Sequence, residues 1–260
     1  MNNQQYLNTA KTAAQAGQRI LKKYFRAPLT ITVKDEQHYN IVTQADVECE
    51  EAIVECLQEV YPDHNILAEE HEYGKTGSPY TWIIDPLDGT TNFAHGIPAY
   101  SISIALAFHD DMVAGLVWDI EHNEMYTAVK GSGAWCNDVR LSVSSARTLP
   151  QCLFSTGFYY GRGEEMKKAL KKIEQLLTLG IIDIRRFGSA ALDLCMVASG
   201  RIDGYFEYML NPWDFAAGKL IVEEAGGLVT DCEGENPGIS PSYIVGTNGK
   251  IHGELLEILQ

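Results

Sequence analysis

WIIDPLDGTTNF, residues 82–93, drives an apolar run directly into Asp85, follows it with Pro86, and places a second acid at Asp88 before Gly89-Thr90-Thr91. A carboxylate just past the end of a buried strand is placed to face a cleft. The proline stiffens the turn and keeps Asp85 and Asp88 close together. A third acid, Glu69, ends the neighbouring apolar run Asn65–Ala68. Crowded carboxylates repel one another, and a cation relieves that cost. Oxygen ligands alone favour a hard ion such as Mg2+. The nearest histidines, His71 and His95, show no HExxH-type pairing, which argues against zinc. Gly89-Thr90-Thr91 reads as the opening of a helix, whose first N–H groups make a seat for phosphate. A lone Asp-Gly is often only a turn. The whole run points to phosphate chemistry on bound metal.

A second acid of the same kind lies far downstream. In NPWDFAAGKLIVEEAGG (211–227), Asp214 stands at the start of an apolar helix that ends at Gly226-Gly227. Taken alone it is a helix N-terminal acid. Two divalent ions about 3.5–4 Å apart need more carboxylates than three, and Asp214 supplies the fourth.

Around these stretches the chain alternates elements. Helical spacing covers 5–25, and Leu29, Ile31 and Val33 alternate as in a strand. Residues 34–42 read as a polar loop. A second helix is expected from Asp46 to Tyr61, with Thr43 and Asp46 as its capping box and Pro62 as its stop. Strands are expected at 65–68, 81–84, 100–107, 112–118 and 124–129, and 131–138 reads as turns. A seam shortly afterwards divides an N-terminal half, 1–143, from a C-terminal half, 144–260. The second half reads as helices at 164–178, 189–199, 214–225 and 252–259, with strands at 181–186, 204–208, 228–231 and 243–246. The pattern is that of a layered α/β protein.

The bulk composition narrows the function. The chain has 260 residues and a formal net charge of −15. So acidic a protein repels phosphate backbones, so nucleic acid is not an expected partner. No apolar run reaches the roughly 20 residues needed to span a bilayer, so no membrane partner is expected either. The six cysteines are scattered without CxxC spacing, as in reduced thiols of a cytoplasmic protein. The N-terminus lacks the charged-then-apolar order of a signal peptide.

DPLDGTTNF (85–93) and WDFAAGKLIVEEAGG (213–227) closely resemble the inositol monophosphatase family. ILAEE (66–70), NIVTQAD (40–46), YTAVKGSGAWCND (126–138) and FGSAALDLC (187–195) support the likeness, in the family's order and over nearly the whole chain. The resemblance implies a layered α-β-α-β-α sandwich, of the inositol monophosphatase and fructose-1,6-bisphosphatase type. It implies Mg2+-dependent hydrolysis of a phosphate monoester, with two ions per site and a third, weaker one. By position, Glu69 and the Leu87 carbonyl would bind the first metal, Asp85 would bridge both, and Asp88 and Asp214 would hold the second. Thr90 and Glu69 would orient the attacking water, with Asp46 behind Thr90. Gly89 and Thr90 would hold the phosphate. Asp88, Glu207, Asp214 and the Gly188–Ala190 segment, Ala190 included, would meet the substrate. A homodimer and sensitivity to lithium are family expectations.

The sequence departs from the family at two places. KDEQHYN (34–40) is bulkier and more acidic than the family's short loop, which is associated with closing the site and with the third metal. GFYYGRG (157–163) is individual, and Tyr159, Tyr160 and Arg162 could meet a larger substrate. Inositol monophosphate is the expected substrate. Fructose 1,6-bisphosphate, NADP(H), a 3′-phosphoadenosine nucleotide and histidinol phosphate are the alternatives. A different class is a regulatory binding protein on the same scaffold, with or without catalysis.

Overall fold

The computed structural model describes residues 3–33, 41–158 and 163–260. The sequence features at Lys34, in the 34–40 loop, and at Tyr159, Tyr160 and Arg162 lie outside the described residues.

Helix α1 (Asn3–Tyr24) buries Tyr6, Ala10, Ala13, Gly17 and Leu21, a stripe at helical spacing. It crosses α2 (Gln44–Val60) closely, because a Cβ on Gly17 would lie 2.7 Å from Cys49 Sγ. Between them β1 (Ile31–Val33) pairs antiparallel with β2 (Ile41–Thr43) in a separate ribbon. All three β1 residues are exposed, so the alternation at 29–33 marks a surface ribbon and not a half-buried strand.

Seven strands form the first sheet. They are β3 (Asn65–Ala68), β4 (Tyr80–Asp88), β5 (Ser101–Phe108), β6 (Asp111–Asp119), β7 (Glu124–Val129), β8 (Ala134–Cys136) and β9 (Val139–Arg140), hydrogen-bonded in that order. The short α3 (Thr90–Ala94) lies between β4 and β5. Strand β4 does not stop at Ile84, as the sequence suggests. It continues through Asp85 with a register shift before Asp88, so that Asp85 faces Ser103 and Asp88 faces Ser101. Pro86 has no N–H for a ladder bond, and the bulge absorbs it. The turn-rich 131–138 stretch carries the β8–β9 hairpin, turning at Asn137 with φ 51°.

The chain then enters a second sheet, ordered β11-β10-β12-β14-β13. Its strands are β10 (Leu153–Thr156), β11 (Asp183–Arg185), β12 (Gly204–Leu210), β13 (Leu228–Thr230) and β14 (Ser242–Thr247). Strand β10, four residues long, was not expected from the sequence; it pairs parallel with both β11 and β12. Helices α4 (Glu164–Thr178), α5 (Ala190–Ala198), α6 (Pro212–Glu224) and α7 (His252–Leu259) complete the chain.

The layers follow from which faces are apolar. α1 and α2 cover one face of the first sheet over a core containing Leu21, Ile53, Trp82 and Leu116. α5 and α6 are buried over most of their surface, and they pack against both sheets over Ile83, Leu194, Phe215 and Ile244. α4 and α7 cover the outer face of the second sheet over Phe154, Leu176 and Leu255. The result is the expected α-β-α-β-α order. The six cysteines are free thiols. Among the described residues, no helix is long and apolar enough to cross a membrane.

Candidate active site

The bulge in β4 builds the site. Asp85 is buried, and its Oδ1 accepts the Leu87 N–H at 2.9 Å. Asp88 is buried too, and its Oδ2 accepts the Ser189 hydroxyl at 2.5 Å and the Ala191 N–H at 2.8 Å. One carboxylate of the first sheet is thus held by the N-terminus of α5. Gly89 has φ 96°, and a Cβ there would lie 2.9 Å from the Ala99 carbonyl and 3.2 Å from that of Gly188. Only glycine fits this turn without strain. The helix it opens, α3, is five residues long. Its few aligned peptides make a small dipole, so the N–H groups of the turn matter more than the helix.

Thr90 Oγ1 lies 2.9 Å from Asp46 Oδ1 and 3.1 Å from the Leu87 carbonyl, and can donate its proton to either. Asp46 serves two ends. Its Oδ2 accepts from the Thr43 N–H at 2.8 Å and the Thr43 hydroxyl at 2.5 Å, closing the capping box of α2. Its Oδ1 receives Thr90. Burial pushes the Asp46 carboxyl up to about 6, and the hydrogen bonds from Thr43 oppose the rise.

Asp214 is the third residue of α6, and its Oδ2 accepts the Asn211 N–H at 2.7 Å. It therefore caps a helix and also lines a cleft shared with Asp88, Gly89, Thr90, Ala190 and Glu207. Glu207 stands over Gly157, where a Cβ would fall 1.8 Å from its Oε2, and that oxygen accepts the Tyr205 hydroxyl at 2.7 Å. Burial pushes the Glu207 carboxyl up to about 7. Glu69 faces an adjoining groove of about 860 Å3 beside β3, lined also by His71, Tyr73 and Trp213.

The electrostatics favour a cation. Burial first, then the charges of Glu69 and Asp88, raise the carboxyls of Asp85 and Asp214 well above their ordinary range. Burial likewise lifts Asp88 to about 6 against its hydrogen bonds from Ser189 and Ala191. Among the described residues no Lys, Arg or His forms an ion pair with Asp85, Asp88 or Asp214. Among those residues, no three acidic, His or Cys side chains stand close enough together to hold a metal ion between them as they are placed. A buried, oxygen-only and mutually repelling donor set of this kind suits a hard divalent cation.

Four further residues support the site or line it. Ser189, the N-cap of α5, holds Asp88. Glu50, fully buried on α2, accepts the Glu70 N–H at 2.8 Å, lies 2.8 Å from His71 Nδ1, and accepts the Tyr73 hydroxyl at 3.2 Å. It therefore anchors the chain just past Glu69. It sits four residues after Asp46 on the same helix face, a spacing that could have pointed to it. Asp193 and Arg186 line the cleft as well.

The profile of the inositol monophosphatase family matches residues 2–260. A protein of Neisseria meningitidis serogroup B named "Putative Nus factor SuhB" is 44% identical over 259 residues, spanning 98% of this chain and 97% of that protein. The solved extragenic suppressor protein suhB of Bartonella henselae superposes with a TM-score of 0.92 at 39% identity, over 98% of both chains. The solved inositol monophosphatase of Anabaena (Nostoc) sp. PCC 7120 gives 0.88 at 38% identity, over 100% of this chain and 96% of that one. By its profile, its relatives and its layered fold, the chain belongs to the inositol monophosphatase family.

Proposed function

We propose that the protein is a Mg2+-dependent phosphatase acting on a phosphate monoester, with inositol monophosphate as its preferred substrate. The observation that carries the reading is the convergence of Asp85, Asp88 and Asp214, buried or lining the cleft and without a cationic partner among the described residues, beside the Thr90–Asp46 pair. Glu69, Asp85 and the Leu87 carbonyl would hold one ion, and Asp85, Asp88 and Asp214 the other. When bound, such ions lower the pKa of water and offset the charge of a leaving alkoxide. The chain's own groups do the rest. With its proton donated to Asp46, Thr90 Oγ1 keeps lone pairs free to accept from a water and aim it, with Glu69 as second acceptor. The Gly89 and Thr90 N–H groups would hold phosphate oxygens while charge builds on them. Water adds to phosphorus as the P–O ester bond breaks, and the proton that the water gives up passes to the leaving alkoxide, which departs as the alcohol.

The reading divides labour between a metal-holding half, 1–143, and a half, 144–260, that brings Asp214, Ala190 and Glu207 to the alcohol. The free thiols fit a cytoplasmic protein, and a homodimer is tested by light scattering. Phosphate release from a panel tests the chemistry: inositol 1-phosphate, fructose 1,6-bisphosphate, NADP+, 3′-phosphoadenosine 5′-phosphate and histidinol phosphate, each with Mg2+ and with EDTA. Mg2+-dependent turnover with inositol 1-phosphate foremost is the expected result. Another favourite would move the substrate, and no turnover on any ester would overturn the phosphatase reading.

A second reading is favoured by the name "Nus factor" carried by relatives such as the Pasteurella multocida protein, 44% identical over 258 residues. A factor role could coexist with catalysis on this scaffold. The net charge of −15 directs such a role toward protein partners rather than bare nucleic acid. Asp85→Asn separates the two, since it removes turnover and leaves the outer surface unchanged.

A further inference from the structure

Residues 1–34 contain no Asp or Glu, and they carry Lys11, Arg19, Lys22, Lys23, Arg26 and Lys34. Their formal charge is +6 in a chain of −15, so residues 35–260 carry −21. Helix α1 turns the excess outward. Tyr6, Ala10, Ala13, Gly17 and Leu21 face the core, and Arg19, Lys22 and Lys23 are exposed on the opposite side at helical spacing. Arg26 follows the helix end and is exposed as well.

Ordinary roles account for part of this stripe. Lys22 and Lys23 lie in the last turn, where cations suit the helix dipole. Lys23 is 3.5 Å from Glu48 of α2 and donates to Tyr24 Oη at 2.9 Å. Arg19, Lys22 and Arg26 form no ion pair among the described residues. Arg26 is nonetheless fixed in place. Its Nε and Nη2 donate to the Gly96 carbonyl, each at 3.3 Å, and its guanidinium lies 4.9 Å from the centre of the Phe25 ring. Its φ of 59° is left-handed backbone, which glycine adopts more readily at a helix end. The chain sets a held guanidinium there instead.

Charge indicates what the stripe would receive. Salt screens charges beyond about 8–10 Å, so the nearest groups outweigh the net charge of the whole molecule. On the adjoining helix α2, Glu51, Glu55 and Glu59 are exposed and border the stripe with acid. A nucleic-acid backbone is a continuous line of phosphates, and it would run from the stripe onto those acids. A flexible polypeptide can set carboxylates against Arg19, Lys22 and Arg26 and turn neutral residues toward α2. The fork of a guanidinium suits a carboxylate.

We propose that the outward face of α1, with Arg26 beyond it, docks an extended acidic segment of a partner protein. The surface is independent of the chemistry of the cleft. Fluorescence anisotropy of a labelled glutamate–serine peptide of about ten residues, at about 50 and about 200 mM salt, tests it. The wild-type protein should bind the peptide, and more weakly at the higher salt. Arg19→Glu with Lys22→Glu should weaken binding about 10-fold. Glu51→Gln with Glu55→Gln should strengthen it. Both pairs are exposed, so the melting temperature should hardly move. No wild-type binding, or unchanged affinity in the Arg19–Lys22 variant, would overturn the proposal. So would a single-stranded RNA of similar length that binds more tightly than the peptide and is lost with the same substitutions, because the surface would then belong to nucleic acid. If the charge-reversed pair fails to fold, Arg19→Gln with Lys22→Gln decides by the same comparison.

Discussion

Glu50 gives the sharpest test of how the site is held. Its buried carboxylate ties α2 to the strand-end segment through the Glu70 N–H, His71 and Tyr73. The Glu70 N–H belongs to the backbone and cannot turn to another acceptor, whereas the two side chains can turn toward water. In Glu50→Gln the amide oxygen should therefore stay on the Glu70 N–H, with its NH2 group toward His71 and Tyr73. That costs about 1–2 kcal/mol, or a few degrees of melting temperature in a chain of this size. Glu50→Ala also strips the backbone donor and leaves a void, for about 3–4 kcal/mol. Glu69 is one peptide from the lost anchor. Removing the support behind a metal ligand costs about 10- to 100-fold in metal affinity or activity. Urea unfolding and Mg2+ titration of phosphate release should be measured on the same variants. The expected order is wild type, then Gln, then Ala in both stability and half-saturating Mg2+. If Ala unfolds early yet keeps the wild-type Mg2+ response, Glu50 is only a core residue and the anchoring argument fails.

Asp85→Asn should abolish at least about 100-fold of the turnover, since Asp85 is assigned to both ions. In EDTA it should unfold later than wild type, because it removes one of the repelling buried charges, and it should lose the stabilisation that Mg2+ gives. Calorimetric scans with and without metal check this. Gly157→Ala places a Cβ where Glu207 Oε2 now stands, so the carboxylate must swing away from Tyr205. Turnover of inositol 1-phosphate should fall about 10-fold with little change in melting temperature, because the displaced atom ends a flexible side chain. Arg201 donates to Glu124 Oε2 at 2.7 Å, linking the residues after α5 to β7, and holds the Glu124 carboxyl down at about 2. A depressed carboxylate adds stability above its unfolded pKa of about 4.3, and that stability is lost as pH falls toward 2. Arg201→Met should therefore destabilise by about 1 kcal/mol at pH 7 and by little at pH 2–3, as followed by urea unfolding at each pH.

Why some of the site was legible and some was not follows from how far each signal reaches along the chain. Asp85, Asp88 and Gly89 fall within five residues, and the turn that joins them is a local matter of Pro86 and a left-handed glycine. Asp46 was readable from the Thr43–Asp46 spacing as a cap, and its place behind Thr90 only from the family resemblance. Its second oxygen receives Thr90 from 44 residues away, which no local pattern encodes. The contacts between Asp88 and Ser189 and between Glu50 and Glu70 are of the same long-range kind. The helices of the middle layer were clear in type. Their burial between two sheets was less so, because an apolar run buried on every side has no periodicity to read. Strand β10 was missed because LFST is four residues long and takes its ladder from partners about 30 and 50 residues later. Asp193 shows the reverse case. An acid inside AALDLCMVA breaks the apolar pattern of its own helix, a local conflict at a residue that the structure places in the lining of the cleft.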